Sequence, residues 1–149
     1  MTAENRIPKD AHNNCWQQRM ETSKSIKPAL DRIERPVAKY LKGQGFEKKG
    51  RTYNRIVEQD LVQVINFQSG TFPIGQYEIP GIRESKYGTF TINFGVAIPE
   101  VYHVTSPKFP IPLFWKEYQC QIRERLGVLL YKKDHWWTIT DDSENISKE

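Results

Sequence analysis

The chain has 149 residues with 22 basic and 18 acidic side chains, and its hydrophobic content of 38% includes seven Phe, seven Tyr and four Trp. This length supports one domain with its own core, and the aromatic content excludes global disorder. No apolar run approaches the roughly 18 residues of a membrane span, and the N-terminus lacks the apolar region of a signal peptide. With only Cys15 and Cys120, far apart in the sequence, the composition predicts a cytoplasmic protein with reduced thiols.

Basic residues are concentrated in one segment of the chain. Residues 32–55 hold eight basic and two acidic side chains, a net of +6, whereas the whole chain has a net charge of +4. The acidic residues of segment 141–149 offset part of this positive charge. The basicity is therefore a local patch, which bears on the partners that this segment can meet.

The chain divides into three parts by pattern. Residues 1–20 are polar and mixed in charge, which predicts a flexible N-terminal arm, residues 21–140 make a single domain, and residues 141–149 form an acidic tail. The domain opens with apolar residues at helical spacing, namely Ile26, Leu30, Ile33, Val37 and Leu41. Pro36 lies inside this stripe and predicts either a kink or two short helices in series.

After the helix, the hydrophobic period changes to that of strands. Residues 46–56 predict one strand or a pair of short ones, and residues 61–68 predict another that pairs with them as a hairpin. Residues 89–98 alternate between apolar and polar side chains, as in an antiparallel strand with one buried face. Shorter strands are expected at 120–126 and 136–140. The pattern predicts an α+β fold, with the N-terminal helix packed on one face of an antiparallel sheet of four to six strands.

One face of the predicted sheet carries polar side chains. With this alternation, the residues that point away from the helix are Asn66, Gln68, Thr91, Asn93, Arg123, Arg125 and Trp136. Amides, guanidinium groups and an indole on one surface suit recognition of carboxylates, phosphates or a protein partner. The candidate partner-binding residues are therefore Gln68, Asn93, Arg123, Arg125 and Trp136. The ordinary alternative is that these side chains bond across strands or lie under the 69–88 loop.

The basic segment offers a second candidate site. For nucleic acid, its candidate residues are Lys48, Lys49, Arg51 and Arg55, with aromatic residues interleaved for base stacking. The ordinary alternative is the solvated side of a helix and an edge strand that its lysines protect from aggregation. The small net charge of the chain favours this ordinary alternative.

Signatures of catalysis or metal binding are missing from the sequence. Segment 45–52 differs from a phosphate-binding loop at Arg51, where a Lys is required, and it follows a helix instead of a strand. No metal-ligand or catalytic spacing involves the three histidines, His12, His103 and His135. We predict no catalytic residue, no metal site and no cofactor. An enzyme of unknown type stays a further alternative, which requires a pocket that holds Arg123, Arg125 and an acid.

Four blocks of residues follow one another between residues 26 and 140. They are Tyr40-Leu41-Lys42 with Gly45-Phe46, Val64-Ile65 with Phe67-Gln68, Phe90-Thr91-Ile92-Asn93, and Arg125-Leu126-Gly127 with Trp136-Trp137. In this order they resemble a bacterial family catalogued as domain of unknown function 4304. The resemblance implies no established activity. The toxin–immunity settings of some members imply a protein-binding role.

Together these observations predict a non-enzymatic binding protein that acts through the polar sheet face. The resemblance suggests a toxin-neutralising immunity protein or an adaptor. The expected partner is another protein with an acidic surface, because the chain is basic. Nucleic acid is the alternative partner, no membrane is expected to take part, and the oligomeric state is open.

Overall fold

The computed structural model describes residues 9–57, 60–70, 79, 82 and 84–139, with side chains from residue 26 onward. The elements are α1 (Lys9–Gly43), β1 (Glu47–Lys49), β2 (Thr52–Ile56), β3 (Val62–Ser69), β4 (Thr89–Ala97), α2 (Pro99–Thr105), β5 (Ile122–Arg125), α3 (Leu126–Tyr131) and β6 (Trp137–Thr138). A short 3-10 turn lies at Glu117–Gln119. No helix among the described residues is both long enough and apolar enough to span a bilayer.

Helix α1 is a single element of 35 residues that runs through Pro28 and Pro36. The prediction of two short helices in series is therefore wrong. Both prolines are exposed, so their rings lie on the solvent side of the helix and not in the core. The backbone is already helical from Lys9, within the predicted arm. The division into arm, domain and tail stays a prediction, because residues 1–8 and 140–149 lie outside the described residues.

The sheet is antiparallel, with the strand order β1-β2-β3-β4-β5 and β6 on the same edge of β4 as β5. This arrangement confirms the α+β fold with a helix on an antiparallel sheet. The predicted hairpin is also confirmed, since Tyr53 of β2 lies opposite Ile65 of β3. The last two strands are shorter than predicted. Leu126 begins α3, so the strand expected at 120–126 covers only residues 122–125.

The first hydrophobic core lies between α1 and one face of the sheet, called the helix face below. Its buried residues are Leu30, Leu41, Phe46, Tyr53, Phe67 and Phe90. Trp137 and Ile139 pack against this cluster, as the alternation pattern predicted. Burial of one such large side chain contributes about 1.5–3 kcal/mol, so this cluster is what holds α1 on the sheet.

A second core lies on the opposite face, called the far face, beneath the segment 99–120. Its buried residues are Val62, Val64, Ala97, Trp115 and Cys120. The side chain of Asn54 fixes this segment, because its amide accepts a hydrogen bond from the backbone of Trp115 at 2.6 Å and donates one back at 3.0 Å. Gly95 allows close approach there: a Cβ atom at Gly95 would lie 2.6 Å from the Cys120 sulfur.

The two cores occupy opposite ends of the sheet. On the helix face the core uses Phe67 and Phe90, whereas on the far face it uses Val62 and Ala97 at the other end of the same two strands. Among the described residues, each face is thus covered by a hydrophobic core at one end only. The end of the far face without this core is the polar surface predicted from the sequence, although Thr91 there is buried and donates to the carbonyl of His135 at 3.2 Å, and Asn93 is buried as well. The uncovered end of the helix face is an apolar groove of about 410 Å³, lined by side chains such as Ile65 and Ile122.

Candidate partner-binding cleft

The uncovered end of the far face forms a cleft of about 560 Å³. Four of the five candidate partner-binding residues line it: Gln68, Asn93, Arg123 and Arg125. Strands β3, β4 and β5 bring them together, since Asn93 lies opposite both Asn66 and Arg125 in the register of the sheet. The alternation pattern therefore places these side chains on one surface as predicted. Their role in binding stays a prediction.

A ladder of side-chain amides forms the floor of the cleft. Asn93 donates from its amide nitrogen to the oxygens of Asn66 at 3.2 Å and Gln68 at 3.0 Å. Asn66 in turn donates to the hydroxyl of Thr52 at 3.1 Å. The alternative of bonds across strands thus holds for the amides, and it makes the floor rigid. Most of the 69–88 loop lies outside the described residues, including its segment 71–78.

Arg125 and Asp134 line one side of the cleft, and both contact Trp136. The Arg125 guanidinium pairs with Asp134 at 2.5 Å and lies 5.3 Å from the centre of the Trp136 ring. The indole nitrogen of Trp136 donates to the same Asp134 oxygen at 3.3 Å. Trp136, the fifth candidate, is thus joined to the cleft through its contacts with these two residues. The pair is partly exposed, so its contribution to stability is small, at most about 1 kcal/mol.

Arg123 is the cation of the cleft that remains available. Its side chain is exposed, and within the described part of the chain its guanidinium has no hydrogen bond or ion pair. The carboxylate of Glu117 also lines the cleft, and it likewise has no hydrogen bond or ion pair among the described residues. An exposed guanidinium on a strand, next to a rigid floor, is well placed to make a bidentate contact with a carboxylate.

Cys120 lies beneath this region and is not available as a nucleophile. Burial raises the pKa of its thiol to about 11, and the nearby negative charge of Glu117 acts in the same direction while Arg123 opposes it. The thiol therefore stays protonated at neutral pH. It donates weakly to the carbonyl of Lys116 at 3.5 Å, as a packing group of the far-face core.

The cleft contains both signs of charge. Two guanidinium groups face three carboxylates, those of Glu117, Glu124 and Asp134. The pocket that the enzyme alternative requires is therefore present. Its lining in the described part of the chain, however, contains no Ser, Thr, Cys, His or Lys side chain. The described residues also contain no group of three or more His, Cys, Asp or Glu that could hold a metal ion.

The basic residues proposed for nucleic acid are mostly occupied within the fold. Lys48 pairs with Glu34 at 2.7 Å, and Arg51 pairs with Glu34 and with Asp31, each at 2.6 Å. Arg55 donates to the side chain of Gln63 at 2.6 and 2.9 Å and to the carbonyl of Gln44 at 3.0 Å. Of the four candidates, only Lys49 is without such a contact among the described residues. The structure therefore does not bring four free cations together here.

Sequence reasoning missed the three carboxylates of the cleft. Glu117 and Asp134 reach it from connections between elements, whose paths no hydrophobic period predicts. Glu124 lies between the two selected arginines on β5 and opposite Phe94, a position that the choice of the arginines by alternation leaves out. It lines both the cleft and the apolar groove, because β5 is the edge at which the two meet.

Comparison with known families gives a match over most of the chain. The family model described as "Domain of unknown function (DUF4304)" matches residues 37–148, which is most of the chain. A search of the curated proteins and a search of the solved structures found no match.

Proposed function

This chain belongs to the DUF4304 family, and we propose that it is a non-enzymatic binding protein that recognises another protein through the far-face cleft. The observation that carries the proposal is the position of Arg123. Its guanidinium is exposed and unpaired among the described residues, beside a rigid amide floor and a second arginine stacked on Trp136. Arg and Trp dominate the residues that contribute most to protein–protein binding.

The mixed charge of the cleft favours a protein over a nucleic acid as the partner. A phosphate backbone would meet three carboxylates for two guanidinium groups. A protein surface can present both signs of charge and so match both Arg123 and Glu117. The main contact that we propose is a carboxylate of the partner on Arg123. The basic character of the whole chain, with a pI of about 9.0, favours a partner that is acidic overall.

A toxin-neutralising immunity protein or an adaptor is the form of binding protein that fits this proposal. Both bind one protein partner in fixed stoichiometry and need no catalytic residue. The lining of the cleft supports this form, since its carboxylates and guanidinium groups can pair with opposite charges on a protein surface. The DUF4304 match itself carries no activity.

The test is purification of the tagged protein from extract of its source cells, with nuclease treatment. Wild type is compared with Arg123→Glu and with Arg35→Glu, a matched charge reversal at an exposed position of α1. We expect one stoichiometric protein partner that survives nuclease, is retained by Arg35→Glu and is lost with Arg123→Glu. The purified partner should then bind wild type directly. Retention of the partner by Arg123→Glu, or loss of all partners on nuclease treatment, would contradict the proposal.

A further inference from the structure

The sheet ends at β5 with an edge that no described strand covers. Ile122, Arg123 and Glu124 are exposed along it. The edge also joins the two open surfaces of the molecule. Arg123 and Glu124 line the far-face cleft as well as the apolar groove on the helix face. A ligand at this edge would therefore contact both surfaces at once.

The backbone of Arg123 points toward this open edge. The amide nitrogen of Arg125 donates to the side chain of Glu124 at 2.9 Å and so does not bond β4. In an antiparallel ladder, bonded and non-bonded pairs alternate. Arg125 lies opposite Asn93, and these two residues form a non-bonded pair because the Arg125 N–H does not bond β4. Arg123 lies opposite Gly95, two residues along, so this pair is also non-bonded. The N–H and C=O of Arg123 are consequently directed outward, where a further strand could bond to both.

The charges of β5 disfavour a second copy of the chain as that strand. Opposed residues of an antiparallel pair share a face of the sheet. Two copies of the chain could pair their β5 strands antiparallel about a twofold axis. Each register that pairs three residues of one β5 with three of the other places Arg123 opposite Arg123 or Glu124 opposite Glu124. Like charges directly opposite each other destabilise a strand pair. An extended segment with a carboxylate opposite Arg123 meets no such repulsion.

We infer that the partner binds as an added strand on β5, through an extended segment that places an acidic side chain opposite Arg123 and an apolar side chain opposite Ile122. This inference rests on the proposed function and specifies how the cleft is used. The acidic side chain enters the cleft on the far face. The apolar one lies on the helix face, where Ile122 is 60% exposed at the border of the apolar groove. Main-chain bonds to Arg123 supply affinity, and the two side chains supply specificity.

The test uses a blocked synthetic peptide, Thr-Thr-Thr-Glu-Val-Thr-Val, whose Glu is meant to lie opposite Arg123 and whose next Val lies opposite Ile122. Binding to the full chain is followed by amide chemical shifts in NMR titrations. We expect saturable shifts confined to β5 and its neighbours. Replacement of the peptide Glu by Lys should weaken binding by about tenfold. Arg123→Glu should reverse this preference, while Arg35→Glu should leave it unchanged.

Two N-methylated peptides separate strand addition from simple uptake of a carboxylate. N-methylation of the Glu removes the N–H that would bond the Arg123 carbonyl, whereas N-methylation of the following Val removes one that points away from β5. We expect the first peptide to lose binding and the second to retain most of it.

Equal binding of the two N-methylated peptides would overturn strand addition while leaving the cleft as a carboxylate site. Absence of binding by the unmodified peptide at millimolar concentration would also overturn it. A dimer in sedimentation experiments that Arg123→Pro disrupts, because proline removes the outward N–H of that position, would assign the edge to a second copy. The pull-down with Arg123→Glu decides the proposed function separately from all three results.

Discussion

The hydroxyl of Tyr53 on β2 donates a hydrogen bond to the carboxylate of Glu34 on α1, and both side chains are buried. The same carboxylate accepts contacts from Lys48 and Arg51, so three groups of the β1–β2 hairpin converge on one helix residue. A buried carboxylate is tolerated only when it is paired and hydrogen-bonded in this way. The network fixes α1 on the hairpin and takes up two cations of the basic segment.

Replacement Glu34→Gln tests how much this network stabilises the fold. The amide keeps the shape of the side chain and an acceptor for Tyr53, but it leaves Arg51 and Lys48 without the buried anion. We expect the free energy of unfolding to fall by about 2 kcal/mol, measured by urea denaturation. Asp31→Asn removes the exposed partner of the same arginine and should cost no more than about 0.5 kcal/mol. Equal effects of the two substitutions would show that burial of Glu34 has no special role.

Tyr53 should make the fold sensitive to alkaline pH. Burial first, and then the hydrogen bond to Glu34, raise the pKa of Tyr53 well above the ordinary value of 10.0. Because the folded state holds the phenolic proton more tightly, this stabilisation is complete below pH 10 and is lost as the pH rises above 10 toward the folded pKa. One such group adds a slope of up to about 1.4 kcal/mol per pH unit in that window.

The measurement compares unfolding free energies of wild type and Tyr53→Phe between pH 8 and 11. At pH 8 the variant should be less stable by about 1–2 kcal/mol, because Glu34 loses a donor. The difference should shrink as the pH rises above 10, since only wild type carries the phenol. If the unfolding free energies of the two proteins stayed parallel over the whole pH range, the raised pKa of Tyr53 in the folded state would be contradicted.

The sheet and its polar face could be predicted because strand alternation is a local property. The period of two along β3 and β4 determines which side chains share a face of the sheet, independently of how α1 packs on it. Asn93 and Gln68 therefore occupy the predicted surface. The ends of β5 and β6 were harder to predict, because residues 126–131 form a helix with few residues to establish a period.

The partners of the basic segment needed information that hydrophobic patterns do not contain. Arg51 and Glu34 are 17 positions apart and meet only when α1 packs on the hairpin. One signal was present and was missed. Glu34 follows Leu30 by four positions and precedes Val37 by three, so it lies within the apolar stripe of the helix. A carboxylate in that position indicates a buried ion pair, which Lys48 and Arg51 of the following hairpin supply.

Gly127 at the start of α3 should be essential for the position of the loop that carries Asp134. A Cβ atom there would lie 2.5 Å from the backbone nitrogen of His135 and 2.7 Å from its Cβ. Gly127→Ala therefore forces the backbone to move, and we expect a loss of about 1–3 kcal/mol in thermal or urea unfolding. Gly43→Ala, with open space around the added methyl, should change stability by no more than about 0.5 kcal/mol. Matching effects at both positions would contradict the close approach.

Asp134 should limit the affinity of the cleft for acidic partners. Its carboxylate neutralises Arg125 at 2.5 Å, and Asp134→Asn removes that charge while leaving a side chain of the same shape. We expect stability to change by less than about 1 kcal/mol, because the pair is partly exposed. Binding of the acidic peptide should tighten by roughly threefold to tenfold in the NMR titration. Glu100→Gln, an exposed change on α2, is the control, and weaker binding by Asp134→Asn would indicate instead that Asp134 holds Arg125 in position.

The basic segment should affect stability more than it affects nucleic-acid binding. Arg51→Ala removes a partner of the buried Glu34 carboxylate, so it should lower the free energy of unfolding by about 2 kcal/mol. Lys49→Ala, at an exposed position, should change it by no more than about 0.5 kcal/mol. Because Lys49 alone of the four candidates has no partner in the described part of the chain, affinity for a labelled DNA duplex should be weak and should fall only slightly between 50 and 200 mM salt. A fall of about a thousandfold over that range, reduced to a few hundredfold in Lys49→Ala by the loss of one phosphate contact, would instead establish the segment as a nucleic-acid site.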